Sequence, residues 1–146
     1  MRVDKVDTGF LETLLGYNAR RAALTIIELF LERMAIYQLR PVDFSVLSLV
    51  AHNPGITSRQ LCTTLGIQPP NLVGLVIALE KRSLIRRERH QADGRAVSLY
   101  LTTDGQAMLS SAEQTASQLE QDAAPRLSAA ERKTLMRLLQ KVYLPE

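Results

Sequence analysis

The stretch QPPNLVGLVIALEK, residues 68–81, decides how the rest of the chain is organised. Two prolines near its start fit the first turn of a helix, where a missing amide proton costs little. Apolar residues at positions i, i+3, i+4 and i+7 predict one buried face, formed by Leu72, Leu75, Val76 and Leu79. The opposite face carries Pro70, Gly74, Ile77 and Lys81, flanked by Val73 and Ala78. The segment therefore predicts an amphipathic helix whose outer face is unusually apolar.

The segments on either side of this helix predict a winged helix-turn-helix. Before it, Thr57 and Gln60 form a capping box that opens a short helix, and a glycine marks the turn between the two helices. After it come an arginine-rich strand around residues 86–89, a turn at 93–95 and an alternating strand at 97–101. In this order of elements the second helix enters the major groove of DNA.

Long helices at both ends of the chain complete the predicted fold. The first runs from about Thr8 to Tyr37, about 45 Å by its helical rise, and its apolar residues cover more than one face. The last two run from about Thr103 to Asp122 and from Ser128 to Tyr143. One chain offers these helices too little apolar surface to pack on, so we expect both chain ends to form a dimer interface.

The predicted fold class is mainly α with a small β wing. Residues 1–38 and 104–146 would form an all-helical dimerisation region, and residues 39–103 the winged helix-turn-helix, within one continuous compact domain. A helix from about Val42 to Ala51 follows a proline break and starts this DNA-binding region. Ile56 is expected to add a short third strand to the ribbon.

Composition and length fit a globular protein and give no sign of catalysis. The chain has 146 residues, of which 46% are hydrophobic and 23% charged. Its two histidines and single cysteine show no metal-ligand spacing, and it contains no glycine-rich phosphate loop. We therefore expect neither an enzyme nor a cofactor. The N-terminus lacks a secretory signal and no apolar run is long enough for a bilayer, so we expect a cytoplasmic protein without a membrane partner.

The positive charge of the chain is concentrated beside the predicted recognition helix. The net charge is +3, and residues 78–95 alone contain six basic and three acidic side chains, an excess that accounts for the whole value. The basic side chains are Lys81, Arg82, Arg86, Arg87, Arg89 and Arg95, and the acidic ones are Glu80, Glu88 and Asp93. This concentration favours binding to the phosphates of double-stranded DNA.

Several side chains in this region are suited to reading DNA. Gln68 and Asn71 can hydrogen-bond to base edges, and Val73 can contact thymine methyl groups. Gly74 allows a close approach of the helix backbone, and Arg95, at the tip of the wing, can enter the minor groove. The predicted DNA-contacting set is Ser58, Gln68, Pro69, Asn71, Val73, Gly74, Arg86, Arg87, Asp93 and Arg95.

Two other interpretations remain open at this point. The predicted recognition helix could be buried on both sides, which would make it purely structural. Alternatively, its apolar outer face at Val73, Gly74 and Ile77 could bind another protein, and the winged helix would be an interaction module without sequence-specific DNA binding. Duplex binding that weakens steeply with added salt would favour the DNA-binding interpretation.

Three short motifs resemble the signature of the MarR family of bacterial transcription regulators. They are LEKRSLIRR at residues 79–87, DGR at 93–95 and LTTDG at 101–105. The resemblance extends over nearly the whole chain. It implies a homodimer with two winged helices on a pseudo-palindromic operator, usually as a repressor. It also implies release from DNA when a small aromatic or phenolic ligand, or an oxidant, binds near the junction of the dimerisation and DNA-binding regions.

Two positions depart from the family pattern. Ser83 stands where the family usually has glycine, so the turn after the recognition helix is expected to differ slightly. Gly94 stands where many members carry an additional arginine, which leaves Arg95 as the expected contact at the wing tip.

The resemblance also implies a ligand pocket, and four residues are candidates for it. Aromatic rings paired with one cation suit an aromatic carboxylate, and these residues are Tyr17, Arg21, Tyr37 and Phe44. They could equally be ordinary core or surface residues. Family members that sense peroxides carry a reactive cysteine near the start of the first helix, where this chain has none. Cys62 is expected to be a small core residue.

Overall fold

Helices dominate the fold, as predicted, and a small antiparallel sheet forms the wing. The computed structural model describes residues 5–89 and 96–146. Its helices are α1 (Leu15–Met34), α2 (Pro41–His52), α3 (Ser58–Leu65), α4 (Pro69–Lys81), α5 (Thr103–Ala123) and α6 (Ala129–Tyr143). Its strands are β1 (Ile56–Thr57), β2 (Ile85–Arg89) and β3 (Val97–Leu101). The predicted order of elements is confirmed.

The first helix is shorter than predicted because the chain breaks at both of its ends. A 3-10 turn at Leu11–Thr13 is separated from α1 by Leu14, whose backbone is extended. The side-chain amide of Asn18 donates to the carbonyl oxygen of Leu14 over 2.8 Å and stabilises this break. After α1, a second 3-10 turn covers Ala35–Tyr37 and ends at a left-handed Gln38.

Local sequence signals place the helices of the helix-turn-helix. The amide of Arg40 donates to the Asp43 carboxylate over 3.0 Å at the start of α2. The predicted capping box begins α3, since the backbone amide of Gln60 donates to the Thr57 hydroxyl over 3.2 Å. Gly66 ends α3 in the left-handed conformation, which glycine adopts without steric cost. The axes of α3 and α4 then meet at 116°, within the range of a helix-turn-helix.

The sheet holds the wing against the helix-turn-helix in the strand order β1-β3-β2. Ile56 pairs with Leu99, which confirms the predicted third strand, and Ile85 pairs with Leu101 across the ribbon. The expected alternation along β3 is only partly observed, because Ser98 is buried together with Leu99. As the central strand, β3 has neighbours on both edges, and they cover its polar position as well.

One apolar core joins the DNA-binding region to the ends of the long helices. Its fully buried large side chains are Met34, Leu47, Leu61, Leu72, Leu79, Leu99 and Leu109. Cys62 is partly buried and packs against this core, in agreement with the prediction. Since Met34 and Leu109 come from α1 and α5, the winged helix is packed directly against the base of the helical arm.

The outer parts of the terminal helices remain exposed in the single chain. No side chain of α6 is buried, and α1 buries only Met34. Large apolar side chains at least one-third exposed include Leu24, Ile26, Ile27 and Leu31 on α1 and Leu135, Met136, Leu138, Leu139 and Val142 on α6. Contiguous apolar surface of this kind marks a binding site rather than solvent-facing structure.

Membrane-spanning potential is low among the residues that the structure describes. No single helix there is both long and apolar enough to cross a bilayer. Only α3 and α4 together pass that test on length and composition, and they are the sharply bent pair of the helix-turn-helix.

Candidate nucleic-acid interface

The recognition helix α4 presents one buried and one exposed face, as its spacing predicted. Leu72, Val76 and Leu79 are buried and Leu75 is half-buried, whereas Val73 is 54% exposed and Ile77 39% exposed. The alternative in which this helix is buried on both sides is therefore wrong for the folded chain. The exposed face is free to contact a partner.

The N-terminal end of α4 has no unpaired backbone amide among Pro69, Pro70, Asn71 and Leu72. Pro69 and Pro70 have no N–H to donate. The amides of Asn71 and Leu72 both donate to the carbonyl oxygen of Gln68, over 3.0 and 3.2 Å. The usual unpaired amides of a helix start are thus missing or satisfied. The exposed side chains of Gln68 and Asn71 remain as the polar groups that could read base edges.

The first helix of the motif contributes fewer exposed groups. Ser58 is the first residue of α3 and is half-buried, while the neighbouring Arg59 is exposed. This is where a helix-turn-helix crosses the phosphate backbone. Ser58 stays a predicted DNA contact, and Arg59 is a basic side chain beside it that the sequence pattern did not single out.

The wing arginines carry partners within the chain. Arg86 forms an ion pair with Glu88, and its guanidinium lies 4.5 Å from the centre of the Tyr100 ring. Arg87 approaches Glu80 of α4, with Nε and Nη2 at 2.8 and 2.7 Å from the same carboxylate oxygen. Both arginines were predicted to contact DNA, and in the single chain they are ion-paired.

These ion pairs reduce the freedom of the arginines but not the charge of the region. Both pairs are substantially exposed, and exposed pairs contribute little stability, so a phosphate could replace the carboxylate at small cost. Each pair cancels one basic and one acidic charge, which leaves the local excess unchanged. Arg89 is also exposed on β2. The predicted wing-tip residues Asp93 and Arg95 lie outside the described residues.

A groove beside α4 brings a cation next to the recognition helix. It has a volume of about 430 Å³ and is lined by Arg40, Val42, Ile67, Asn71, Gly74 and Leu75. The Arg40 guanidinium donates two bonds of 3.0 Å to the buried Asp43, and these bonds raise the pKa of Arg40. Arg40 was not among the predicted site residues, because residues 38–41 were interpreted only as the break between the first two helices. The order Arg40-Pro41-Val42-Asp43, in which the aspartate carboxylate caps the helix, was the available signal.

The four predicted ligand residues do not meet within one chain. Tyr17 and Arg21 lie near the start of α1, and Tyr37 follows its end, roughly 25 Å away by helical rise. The Tyr37 hydroxyl is 3.0 Å from the Thr115 hydroxyl, and Phe44 packs edge-to-face on Phe30. A pocket that contains all four residues would need Tyr17 and Arg21 from one copy of the chain and Tyr37 and Phe44 from another.

Comparison with known proteins identifies the family. A sequence model of the MarR family matches residues 37–96. A transcriptional regulatory protein for the hcr operon of Thauera aromatica is 31% identical over 130 residues, which are 88% of this chain and 78% of that protein. This chain belongs to the MarR family. The winged helix, the recognition helix and the long terminal helices described above are thus those of a MarR-type transcription regulator, and the relatives are regulators rather than enzymes.

Two solved structures of the transcriptional repressor CouR resemble this MarR-family chain along its whole length. CouR bound to a 23-mer DNA duplex is 38% identical, with a TM-score of 0.88 over 95% of this chain and 99% of that one. CouR bound to p-coumaroyl-CoA is 37% identical, with a TM-score of 0.85 over 97% of this chain and 100% of that one.

Proposed function

We propose that this MarR-family protein is a cytoplasmic, homodimeric repressor that binds a pseudo-palindromic operator and is released by a small aromatic or phenolic effector. The exposed outer face of α4 beside a basic wing carries the proposal, because it is the part of the chain shaped to enter a major groove. The similarity to a repressor bound to duplex DNA supports it.

The exposed apolar helices supply the dimer. Residues 1–38 and 104–146 of two copies would cover each other, because α6 and most of α1 bury almost nothing within one chain. Residues 39–103 would then form the DNA-reading part of each copy. Burial of large apolar side chains stabilises such an interface by about 25 cal/mol per Å².

The predicted contacts fall into two groups. Gln68, Asn71 and Val73 would contact base edges, and Pro69 and Gly74 would allow the close approach that these contacts need. Ser58, Arg86, Arg87, Asp93 and Arg95 complete the set and would position the protein on the backbone or at the minor groove. For Arg86 and Arg87, binding would exchange Glu88 and Glu80 for phosphates.

The groove at Arg40 is the best-supported place for an effector. A guanidinium at its edge suits a phenolate, carboxylate or thioester oxygen, and Val42, Ile67 and Leu75 offer apolar contact to a ring. Because Asn71 and Gly74 of α4 line the same groove, an occupant would contact the recognition helix directly. CouR, a relative of similar length, is known with p-coumaroyl-CoA bound, which favours hydroxylated aromatic acids or their thioesters as the class to test. Tyr17, Arg21, Tyr37 and Phe44 remain predicted ligand contacts across a dimer.

The test begins with selection of bound duplexes from a random pool by the full-length protein. The best duplex is then titrated with protein in the presence of p-coumarate, p-coumaroyl-CoA, salicylate or free coenzyme A. We expect a symmetric consensus and loss of binding with at least one aromatic compound, but not with coenzyme A alone. A pool that yields no consensus would contradict DNA recognition and favour the protein-interaction module, whereas a consensus unaffected by every compound would contradict only the effector.

A further inference from the structure

Arg82 connects the end of the recognition helix to the end of the first long helix. It is the residue immediately after α4, and its Nη1 donates to the carbonyl oxygen of Gln38 over 2.9 Å. Its Nη2 donates to the carbonyl oxygen of Tyr37 over 2.7 Å. One planar guanidinium therefore bonds to the carbonyls of two consecutive residues, which lie 44 and 45 positions earlier in the chain.

The location of this guanidinium suits its charge. The last carbonyls of a helix lack partners and carry partial negative charge. The Arg82 guanidinium lies on the carbonyls that end the 3-10 turn after α1, and the backbone amide of the same residue caps the end of α4. Arg82 is half-buried, which makes its charged hydrogen bonds stronger than those of a solvent-facing side chain. Lysine lacks the planar fork needed to hold both carbonyls at fixed positions.

The two residues after Arg82 accept hydrogen bonds from Thr102, the residue that caps the start of α5. The Thr102 hydroxyl donates to the carbonyl oxygen of Ser83, and the Thr102 amide donates to that of Leu84 over 3.1 Å. On the other side, Tyr37 bonds to Thr115 of α5 over 3.0 Å. The segment Arg82–Leu84 thus joins α4 to α5 and to the turn that follows α1, and Arg82 makes the contact to that turn.

We propose that Arg82 is a positioning residue that fixes the angle between the recognition helix and the dimerisation arm, and so sets which operator spacing the dimer accepts. The inference rests on the proposed dimeric, DNA-binding function. Half-sites one turn apart are separated by about 10 base pairs, and one added base pair moves a half-site by about 3.4 Å and rotates it by about 35°. A dimer whose recognition helices are held at a fixed angle to the arm distinguishes operators that differ by one base pair in spacing. A dimer in which this angle can vary binds them with similar affinity.

A direct phosphate contact is the competing role for Arg82, and it has a different signature. The guanidinium is already bonded to two backbone carbonyls and lies 3.9 Å from the sulfur of Met108 on α5. Loss of a phosphate contact lowers the affinity for every duplex by the same factor. Loss of a positioning contact lowers the affinity for the preferred spacing most and makes neighbouring spacings more alike.

The experiment uses the duplex selected by the wild-type protein, with its centre shortened or lengthened by one and two base pairs. Binding of the full-length wild type, Arg82→Met, Arg82→Lys and the control Arg33→Met is measured for each duplex and for a single half-site. Arg33 is matched because it makes a 2.7 Å ion pair with Asp122 that links α1 to α5 inside the arm. Thermal unfolding shows whether each variant is folded. If Arg82→Met is not folded, the spacing preference of Arg82→Lys is compared with that of the wild type instead.

We expect the affinity ratio between the preferred spacing and spacings one base pair away to fall about tenfold in Arg82→Met and partly in Arg82→Lys, within the usual range of coupling between sites. Half-site binding and the control should keep the wild-type pattern. An unchanged ratio, or a uniform loss at every spacing, would overturn the role of Arg82 while leaving the function intact. A wild type without any spacing preference would instead overturn the proposed dimeric repressor, and this inference with it.

Discussion

Ser83 holds a backbone conformation that serine seldom adopts. Its φ of 61° lies in the left-handed region, where a Cβ costs roughly 1–2 kcal/mol relative to glycine. The turn needs this conformation, since the amides of Ser83 and Leu84 return to the carbonyls of Glu80 and Leu79 over 2.8 and 3.1 Å. The glycine usual at this position in the MarR family thus has a physical reason, and this chain makes its left-handed turn with a serine at a steric cost.

Replacing Ser83 with glycine should therefore stabilise the protein. We expect the free energy of unfolding to rise by about 0.5–1 kcal/mol, because the relieved strain exceeds the extra chain entropy of glycine. Urea denaturation measures the change, with Ser83→Ala as the control that removes the hydroxyl but keeps the Cβ. A Ser83→Gly variant no more stable than Ser83→Ala would show that the turn is not strained.

Gly74 offers a test of the DNA-facing surface at a single residue. A Cβ added there meets no atom within 4 Å, and glycine within a helix costs roughly 1 kcal/mol relative to alanine. Gly74→Ala should stabilise the free protein by about 0.5–1 kcal/mol. On the selected duplex it should weaken binding by about 1–3 kcal/mol, the usual effect of an added methyl group at a close contact.

These opposite effects separate a DNA contact from a structural defect. Thermal unfolding and duplex titration on the same preparation give both values. If Gly74→Ala binds DNA as well as the wild type, the helix backbone does not approach the groove at this position.

The start of α5 packs closely against the segment that follows α4. Gly105 is buried, and a Cβ added there would overlap the carbonyl oxygen of Leu84, which lies in that segment. That carbonyl cannot move freely, because it also accepts the Thr102 amide over 3.1 Å. The close approach of α5 to the wing thus depends on the absence of a side chain.

Gly105→Ala should destabilise the protein by at least about 3 kcal/mol, at the upper end of the cost of overpacking. Differential scanning calorimetry measures the loss, and Gly74→Ala is the matched control because its site is open. A Gly105→Ala protein that unfolds at the wild-type temperature would contradict the described packing of α5.

Local signals explain why the elements were predictable and their contacts were not. The capping boxes at Thr57 and Ser128 and the prolines of α4 act within one turn of the chain, so sequence places these helices to within a few residues. Other features depend on side-chain geometry or on residues far apart in the chain. They are the break at Leu14, the ion pair of Arg87 with Glu80 and the bonds of Arg82 to the carbonyls of Tyr37 and Gln38. Charge counting located the basic region but could not show which arginines already have partners.

At the scale of the whole molecule, the exposed apolar faces of α1 and α6 support the proposed dimer. Their excess of apolar residues was visible in the sequence and predicted an interface, while the arrangement of two copies depends on contacts between chains that no local pattern encodes. A groove of about 590 Å³ between α5 and α6, lined in part by Ala129 and Met136, adds to the surface that a second copy could fill.

A charge introduced on the apolar face of α6 should separate the copies without unfolding them. Leu138 is 47% exposed in the single chain, so Leu138→Glu should leave the core intact and raise the dissociation constant of the dimer at least about 100-fold by burying an unpaired carboxylate. Analytical ultracentrifugation measures the shift, and Gln140→Glu adds the same charge on another side of α6. Equal dissociation constants for the two variants would place the interface elsewhere.

In the proposed complex, two copies of α4, each beside a basic wing, read one symmetric duplex. Its most direct test is the stoichiometry and salt dependence of binding to the selected duplex and to a scrambled duplex of the same length. We predict two protomers per duplex, a steep loss of affinity with added salt and binding at least about 10³-fold tighter than to the scrambled sequence. One protomer per duplex with equal affinity for both sequences would contradict the account.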